Sequence, residues 1–266
     1  MKVNILPETG YHRGIKRFRG RPMTQSEWIA CADSGPMLEY LKGKATDRKL
    51  RLFACGCCRT VWQLITEGVR KEAILIAEQH VDGQASNAQL GQAISAVHRV
   101  RRKRNQLDWA VYHAVRYHGG VHYGFAYSVA DTLAREIASE SAPTPTPRAG
   151  SHFQGDQFVT TEVPPNADRL KFDATYATQH EIFSTLLRDI FGNPFRPIAA
   201  DPSWLTSTVV SLAVGVYTDR AFDRMPILAD ALQDAGCENE DILNHCRQPG
   251  EHVRGCWALD LILDKK

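Results

Sequence analysis

Two short spacings in this sequence could hold a metal ion. Cys55 and Cys58 form a Cys-x-x-Cys, and His252 and Cys256 form a His-x-x-x-Cys. Brought together they would give three sulfurs and one imidazole nitrogen, a tetrahedral set of the kind zinc favours. Cys237 and His245 stand in reserve. Two objections weigh against a site. The local pattern puts Cys55 and Cys58 in mid-helix, whereas a zinc knuckle places its Cys-x-x-Cys at a turn, and cysteine is also a common small core residue. A bound zinc and a set of buried packing thiols both stay open at this level.

Other chemistries find less support. A cysteine nucleophile beside a histidine base could carry acyl transfer, but no cysteine sits in a recognisable elbow. The chain has no Gly-x-Ser-x-Gly, no glycine-rich phosphate loop, no dinucleotide fingerprint and no zinc-protease helix motif. The stretch Trp109, Tyr112, His113, Tyr117, His118, His122 and Tyr123 reads first as a polar–aromatic packing face. Asp189 with Arg196, and Asp219, Arg220, Asp223 and Arg224, read first as ion pairs that fix how helices cross. The balance leans away from an enzyme.

Phosphate recognition rests on two basic patches. Arg13, Lys16, Arg17, Arg19 and Arg21 crowd the first segment, and Arg99, Arg101, Arg102, Lys103 and Arg104 close a helix. Such patches bind nucleic acid in a salt-dependent, sequence-blind way. Cations also suit a helix C-terminus, and the net charge of the whole chain is only +2.

The elements that must position these residues are helical. Thr24 with Glu27 and Ser86 with Gln89 match capping boxes, in which side chains satisfy the free N–H groups of a first turn. Thr46 is a cap for the clearest helix, whose Leu50, Phe53, Ala54, Cys57, Val61, Leu64 and Ile65 fall on one stripe. Ile182, Phe183, Leu186, Leu187 and Ile190 form another, ending at Gly192. Asp201–Pro202 and Pro226 read as helix starts, and Gly236 as a stop. Trp257–Leu263 also alternates, so a strand there is open. The expected fold class is therefore all-α, a multi-helix bundle. Its expected parts are a basic arm over 1–22, a helical lobe over 23–138, a Pro-rich linker over 139–175 and a smaller helical lobe over 176–266.

The chain has 266 residues, 43% apolar and 23% charged, enough for a real core. No apolar run approaches the roughly 18 residues of a membrane span. The seven cysteines are odd in number, and three lie within four positions. With no secretory apolar stretch at the start, this favours a reducing, cytoplasmic setting with no membrane association.

The wording "MTQSEWIACADSGPMLEYLKGKATDRKLRLFACGCCRTVW" (23–62) and "LLRDIFGNPFRP…DPSWL…RAFDRMPILADALQDAGC…ILNHCRQPGEHVRGCWALDLIL" (186–263) resembles a lineage-expanded bacterial family of planctomycete type. The resemblance implies a bacterial cytosolic origin and no particular activity. It marks Cys55, Cys57, Cys58, Asp189, Asn193, Arg196, Asp201, Trp204, Asp223, Arg224, His252 and Cys256 as members of the shared wording. Three functions follow in order. The first is a non-enzymatic module that binds a protein partner. The second is a nucleic-acid-binding protein using the basic patches. The third is a zinc protein or metal-dependent hydrolase using the Cys/His pairs.

Overall fold

Thr24 caps the first helix as its spacing predicts. Its Oγ1 accepts from the Glu27 N–H at 3.3 Å, and Glu27 Oε2 accepts from the Thr24 N–H at 2.8 Å. Ser86 and Gln89 exchange the same pair of bonds at 3.3 and 2.8 Å, and Thr46 Oγ1 accepts from Lys49 N–H at 3.3 Å. Each closes orphan donors of a first turn, so each helix starts where the sequence says.

The computed structural model describes residues 22–66, 68–100, 106–116, 123–142, 149–154, 157–162 and 166–265. The fold is all-α, with one hairpin. Its helices are α1 (Gln25–Ala30), α2 (Ser34–Leu41), α3 (Asp47–Thr60), α4 (Gly68–Val81), α5 (Asn87–Val100), α6 (Gln106–Val115), α7 (Tyr123–Ser141), α8 (Ala167–Phe191), α9 (Ser207–Asp219), α10 (Met225–Asp234), α11 (Glu240–Arg247) and α12 (Trp257–Ile262). An antiparallel hairpin, β1 (Ala149–Gln154) and β2 (Gln157–Glu162), stands between α7 and α8, with Phe153 opposite Phe158 in register. Among the described residues no helix is long and apolar enough to cross a membrane.

The core has two main clusters. The first gathers α1–α7 with the second half of α8, where Phe183, Leu186, Leu187 and Ile190 are buried. The second gathers α9–α12 around Val209, Tyr217, Met225, Leu228, Cys246, Cys256 and Leu259. This moves the expected boundaries. The linker expected over 139–175 is helix at both ends, because α7 runs to Ser141 and Asn166 caps α8 by accepting from Arg169 N–H at 2.8 Å. The residues from 176 to 191 belong with the first cluster, because the apolar stripe of α8, except Ile182 at 42% exposed, buries against α2, α3 and α7. The alternating run near the C-terminus is α12, not a strand. Asp201–Pro202 opens only a single 3-10 turn, Pro202–Trp204, and Thr206 then caps α9 separately.

The expected stripe is buried from Leu50 to Cys57, but α3 ends at Thr60 and Leu64 beyond it is 40% exposed, and the stripe is not the helix's only buried face. Every residue from Leu50 to Cys58 is buried, because α4, α6, α7 and α8 surround the helix. Even Arg51 lies inside. It donates to the Val115 carbonyl at 2.8 Å and the Ala114 carbonyl at 3.3 Å, so it satisfies carbonyls that the end of α6 leaves open.

Candidate metal centre

Close approaches seat the end of α8 against α12 and the turn before α12 against α3. Gly192 ends α8 at φ +61°, and a Cβ there would meet the Trp257 ring at 3.0 Å. Gly255 has φ +90°, and a Cβ there would fall 2.8 Å from Leu52 Cδ1. Both positions need the left-handed region and the missing side chain that glycine supplies. Trp28 Nε1 donates to the Gly192 carbonyl at 3.0 Å. Lys49 Nζ donates to the carbonyls of Ile190 at 2.7 Å and Gly255 at 3.0 Å. The segment between α11 and α12 is thereby seated on α8 with its side chains in fixed directions.

Four buried side chains converge there: Asp189 from α8, His245 from α11, His252 from the connecting segment and Cys256 at the start of α12. One ligand atom from each lies within 4.8 Å of the others. Asp189 Oδ1 is 2.6 Å from His252 Nδ1 and 3.3 Å from His245 Nε2. Cys256 Sγ is 3.1 Å from His245 Nε2 and 3.8 Å from His252 Nδ1. Zinc bonds of about 2.0–2.1 Å to nitrogen or oxygen and about 2.3 Å to sulfur give tetrahedron edges of about 3.3–3.6 Å. The observed separations straddle that range.

Each imidazole turns the same nitrogen to both the carboxylate and the thiol. His245 does so through Nε2 and His252 through Nδ1. A nucleophile–base–carboxylate triad puts nucleophile and carboxylate on opposite ring nitrogens. Ligands around one ion all point inward instead. Charge agrees, because a dication with one carboxylate, one thiolate and two neutral imidazoles sums to zero, as a buried site requires.

The supporting contacts hold these directions. Asp189 Oδ2 accepts from the Val253 N–H at 3.0 Å, which leaves Oδ1 to face the histidines. The far Nδ1 of His245 lies 3.0 Å from the Gln248 side-chain amide, the kind of outer contact that fixes a ligand's tautomer. The far Nε2 of His252 is buried without a hydrogen-bond partner among the described residues. Burial alone would raise the Asp189 carboxyl, but hydrogen bonds from His245 and His252 outweigh it and hold the group below its usual range. Burial, and then the nearby Asp189 charge, push the Cys256 thiol far up. A bare thiol here is therefore protonated, and a bound metal is what would draw the proton off.

A cleft of about 520 Å³ reaches Asp189, His245 and His252, with Trp28, Arg188, Asn193, Glu251 and Trp257 also on its walls. An ion thus has a path to the site. The Trp257 ring sits 4.9 Å from that of His245.

The sequence-based set is brought together only in part. His252 and Cys256 meet, and the reserve His245 joins them, but Cys55 and Cys58 are not in the cluster. They sit in the first hydrophobic cluster with Cys57, fully buried. Burial pushes the Cys55 thiol up to about 12. The other reserve, Cys237, is a buried member of the second cluster. Asp189 does not pair with Arg196, as the sequence suggests, because Arg196 faces Asp241 at 3.4 Å. Replacing Cys55 and Cys58 together by alanine is therefore expected to leave the metal content unchanged, as elemental analysis of the purified double variant would read.

Of the basic residues, Arg99 is exposed at the end of α5. Arg13, Lys16, Arg17, Arg19, Arg21, Arg101, Arg102, Lys103 and Arg104 lie outside the described residues, as do Tyr117, His118 and His122. The aromatic face of α6 packs through its rings, with Trp109 and His113 at 3.9 Å and His113 stacked on Phe125 at 6.0 Å. No known family profile, curated protein or solved structure matches the chain.

Proposed function

We propose that this protein binds one zinc ion through Asp189, His245, His252 and Cys256, and that the ion clamps the α9–α12 layer onto the main bundle. The observation that carries this reading is the inward convergence of four ligand atoms, one from α8, whose apolar face packs in the first cluster, and three from α11, the segment after it and the start of α12, which border the second. Zinc suits the set because it accepts nitrogen, oxygen and sulfur together in a tetrahedron. Four protein ligands complete that tetrahedron, which is the pattern of structural rather than catalytic sites. The ion would then stabilise a non-enzymatic helical module of a bacterial cytosolic system, whose work is to bind a protein partner.

Cobalt(II) tests this reading, because it replaces zinc and reports its own coordination. The cobalt-loaded protein is expected to show the intense visible bands of a tetrahedral site and a sulfur-to-cobalt charge-transfer band. Cys256→Ala should lose the second, and Cys55→Ala should keep both. Weak six-coordinate bands in the wild-type protein would count against the assignment.

The cleft supports a second reading, in which Asp189 gives up its place to a water and the ion is hydrolytic. Zinc-loaded protein that hydrolyses p-nitrophenyl acetate or phosphate, where zinc-treated His252→Ala does not, would favour it. No zinc-dependent turnover favours the structural role.

A further inference from the structure

The segment that supplies His252 and Cys256 to the metal centre sends Arg254 the other way. There it enters a layer of charge between α3–α4 and α9–α12. The side chain of Asp82, just after α4, is fully buried and already occupied. Its Oδ1 accepts from Arg48 Nε at 3.0 Å, and its Oδ2 accepts from the Tyr217 hydroxyl at 2.7 Å. Asp260 is taken by Arg48 and by Lys49, both at 2.7 Å. Glu78 is held by both Arg59 and Arg220.

Two further cations make only long contacts. The Arg254 side chain is only 7% exposed, yet its Nη1 reaches Gln84 Oε1 at 3.4 Å and Asp82 at 3.7 Å, and its Nε makes no hydrogen bond among the described residues. Lys265 Nζ reaches Asp82 only at 3.6 Å. Both lie against the Tyr217 ring, at 5.2 and 4.8 Å from its centroid. The ring offers some attraction to a cation but no acceptor for an N–H. Among the described residues, the ion pairs of this layer set six cations (Arg48, Lys49, Arg59, Arg220, Arg254 and Lys265) against three carboxylates (Glu78, Asp82 and Asp260). A buried guanidinium so poorly matched calls for an anion.

We propose that Arg254 and Lys265 form a binding site for a tetrahedral oxyanion, a phosphate or the phosphoryl end of a larger molecule. The planar guanidinium edge suits two oxygens of such a group, where a single chloride would use it less well. The rim of the place is open, since Gln84 is exposed and the side chains of Arg220 and Lys265 are 22% and 25% exposed, with the Arg254 Nε buried behind it.

The test uses the full, metal-loaded chain and sulfate, a tetrahedral dianion that does not compete strongly for zinc. Calorimetric titration at constant ionic strength, balanced with chloride, is expected to give one saturable site per chain. Arg254→Gln should weaken it about tenfold or more, the scale of one lost charge-assisted contact, with the metal content unchanged. If Arg254→Gln does not fold, Lys265→Gln at the rim reads the same loss. Inorganic phosphate and phenyl phosphate then separate the two sources. Tighter phenyl phosphate assigns the site to a phosphoryl group of a larger ligand, and tighter inorganic phosphate to the free ion. No saturable binding of sulfate or phosphate, or binding that both variants leave intact, overturns the proposal. The metal reading would be untouched, because its ligands are not altered.

Discussion

Stripping the metal with a strong chelator is expected to lower the melting temperature by roughly 8–16 °C. An ion held at about a thousandfold above its dissociation constant contributes about 4 kcal/mol. In a chain of this size each kcal/mol moves the midpoint by about 2–4 °C. The loss has a specific location. Without a dication, a carboxylate, two imidazoles and a thiol are left buried against one another, and the α9–α12 layer loses its main polar tie to α8. Asp189→Ala should start from the lowered midpoint, and chelator should lower it no further. That second behaviour separates loss of the ion from a generally weaker core, which would still respond to the chelator. The measurement is a thermal melt of both proteins with and without chelator. A wild-type midpoint that does not move would contradict the expectation.

Arg48→Ala is the next largest effect. Arg48 is the hub of the charge layer. It donates to both oxygens of Asp260, at 2.7 and 3.0 Å, to Asp82 and to the Tyr217 hydroxyl at 2.8 Å. Its side chain is 11% exposed, and those of Asp82 and Asp260 are at most 3% exposed. Truncation leaves two buried carboxylates short of their main partner. Breaking a buried pair on one side costs about 3–5 kcal/mol. A urea titration should show the midpoint falling with little change of slope, since the surface exposed on unfolding is nearly the same. Arg48→Lys should recover only part of the loss, because one ammonium cannot span both carboxylates as the planar fork does. A loss below about 1 kcal/mol would place this network among exposed, weakly contributing pairs.

The readable parts of this protein are its local ones. The caps at Thr24, Thr46, Ser86 and Asp201, and the stop at Gly236, involve residues two to five apart, and a single sequence carries such relations whole. His252 and Cys256 were readable for the same reason, four residues apart. Their partners were not. Pairing them with Cys55 and Cys58 joined two local spacings that the fold places in different clusters, because α3 is surrounded on every side. Asp189 did leave a signal. It stands between Leu187 and Ile190 on a buried stripe, and a carboxylate in such a place needs a specific partner. What the sequence could not supply was which residue, 56 to 67 positions further on, would meet it. The helix–strand ambiguity at Trp257–Leu263 has a plain cause as well, since a short apolar run fits either period.

In the proposed centre, one zinc ion joins Asp189, His245, His252 and Cys256. Native mass spectrometry of the chain purified without added metal tests it most directly. One zinc per chain is expected in the wild-type protein and none in His252→Ala or Cys256→Ala. A metal-free wild-type chain, or a zinc that survives both substitutions, would contradict it.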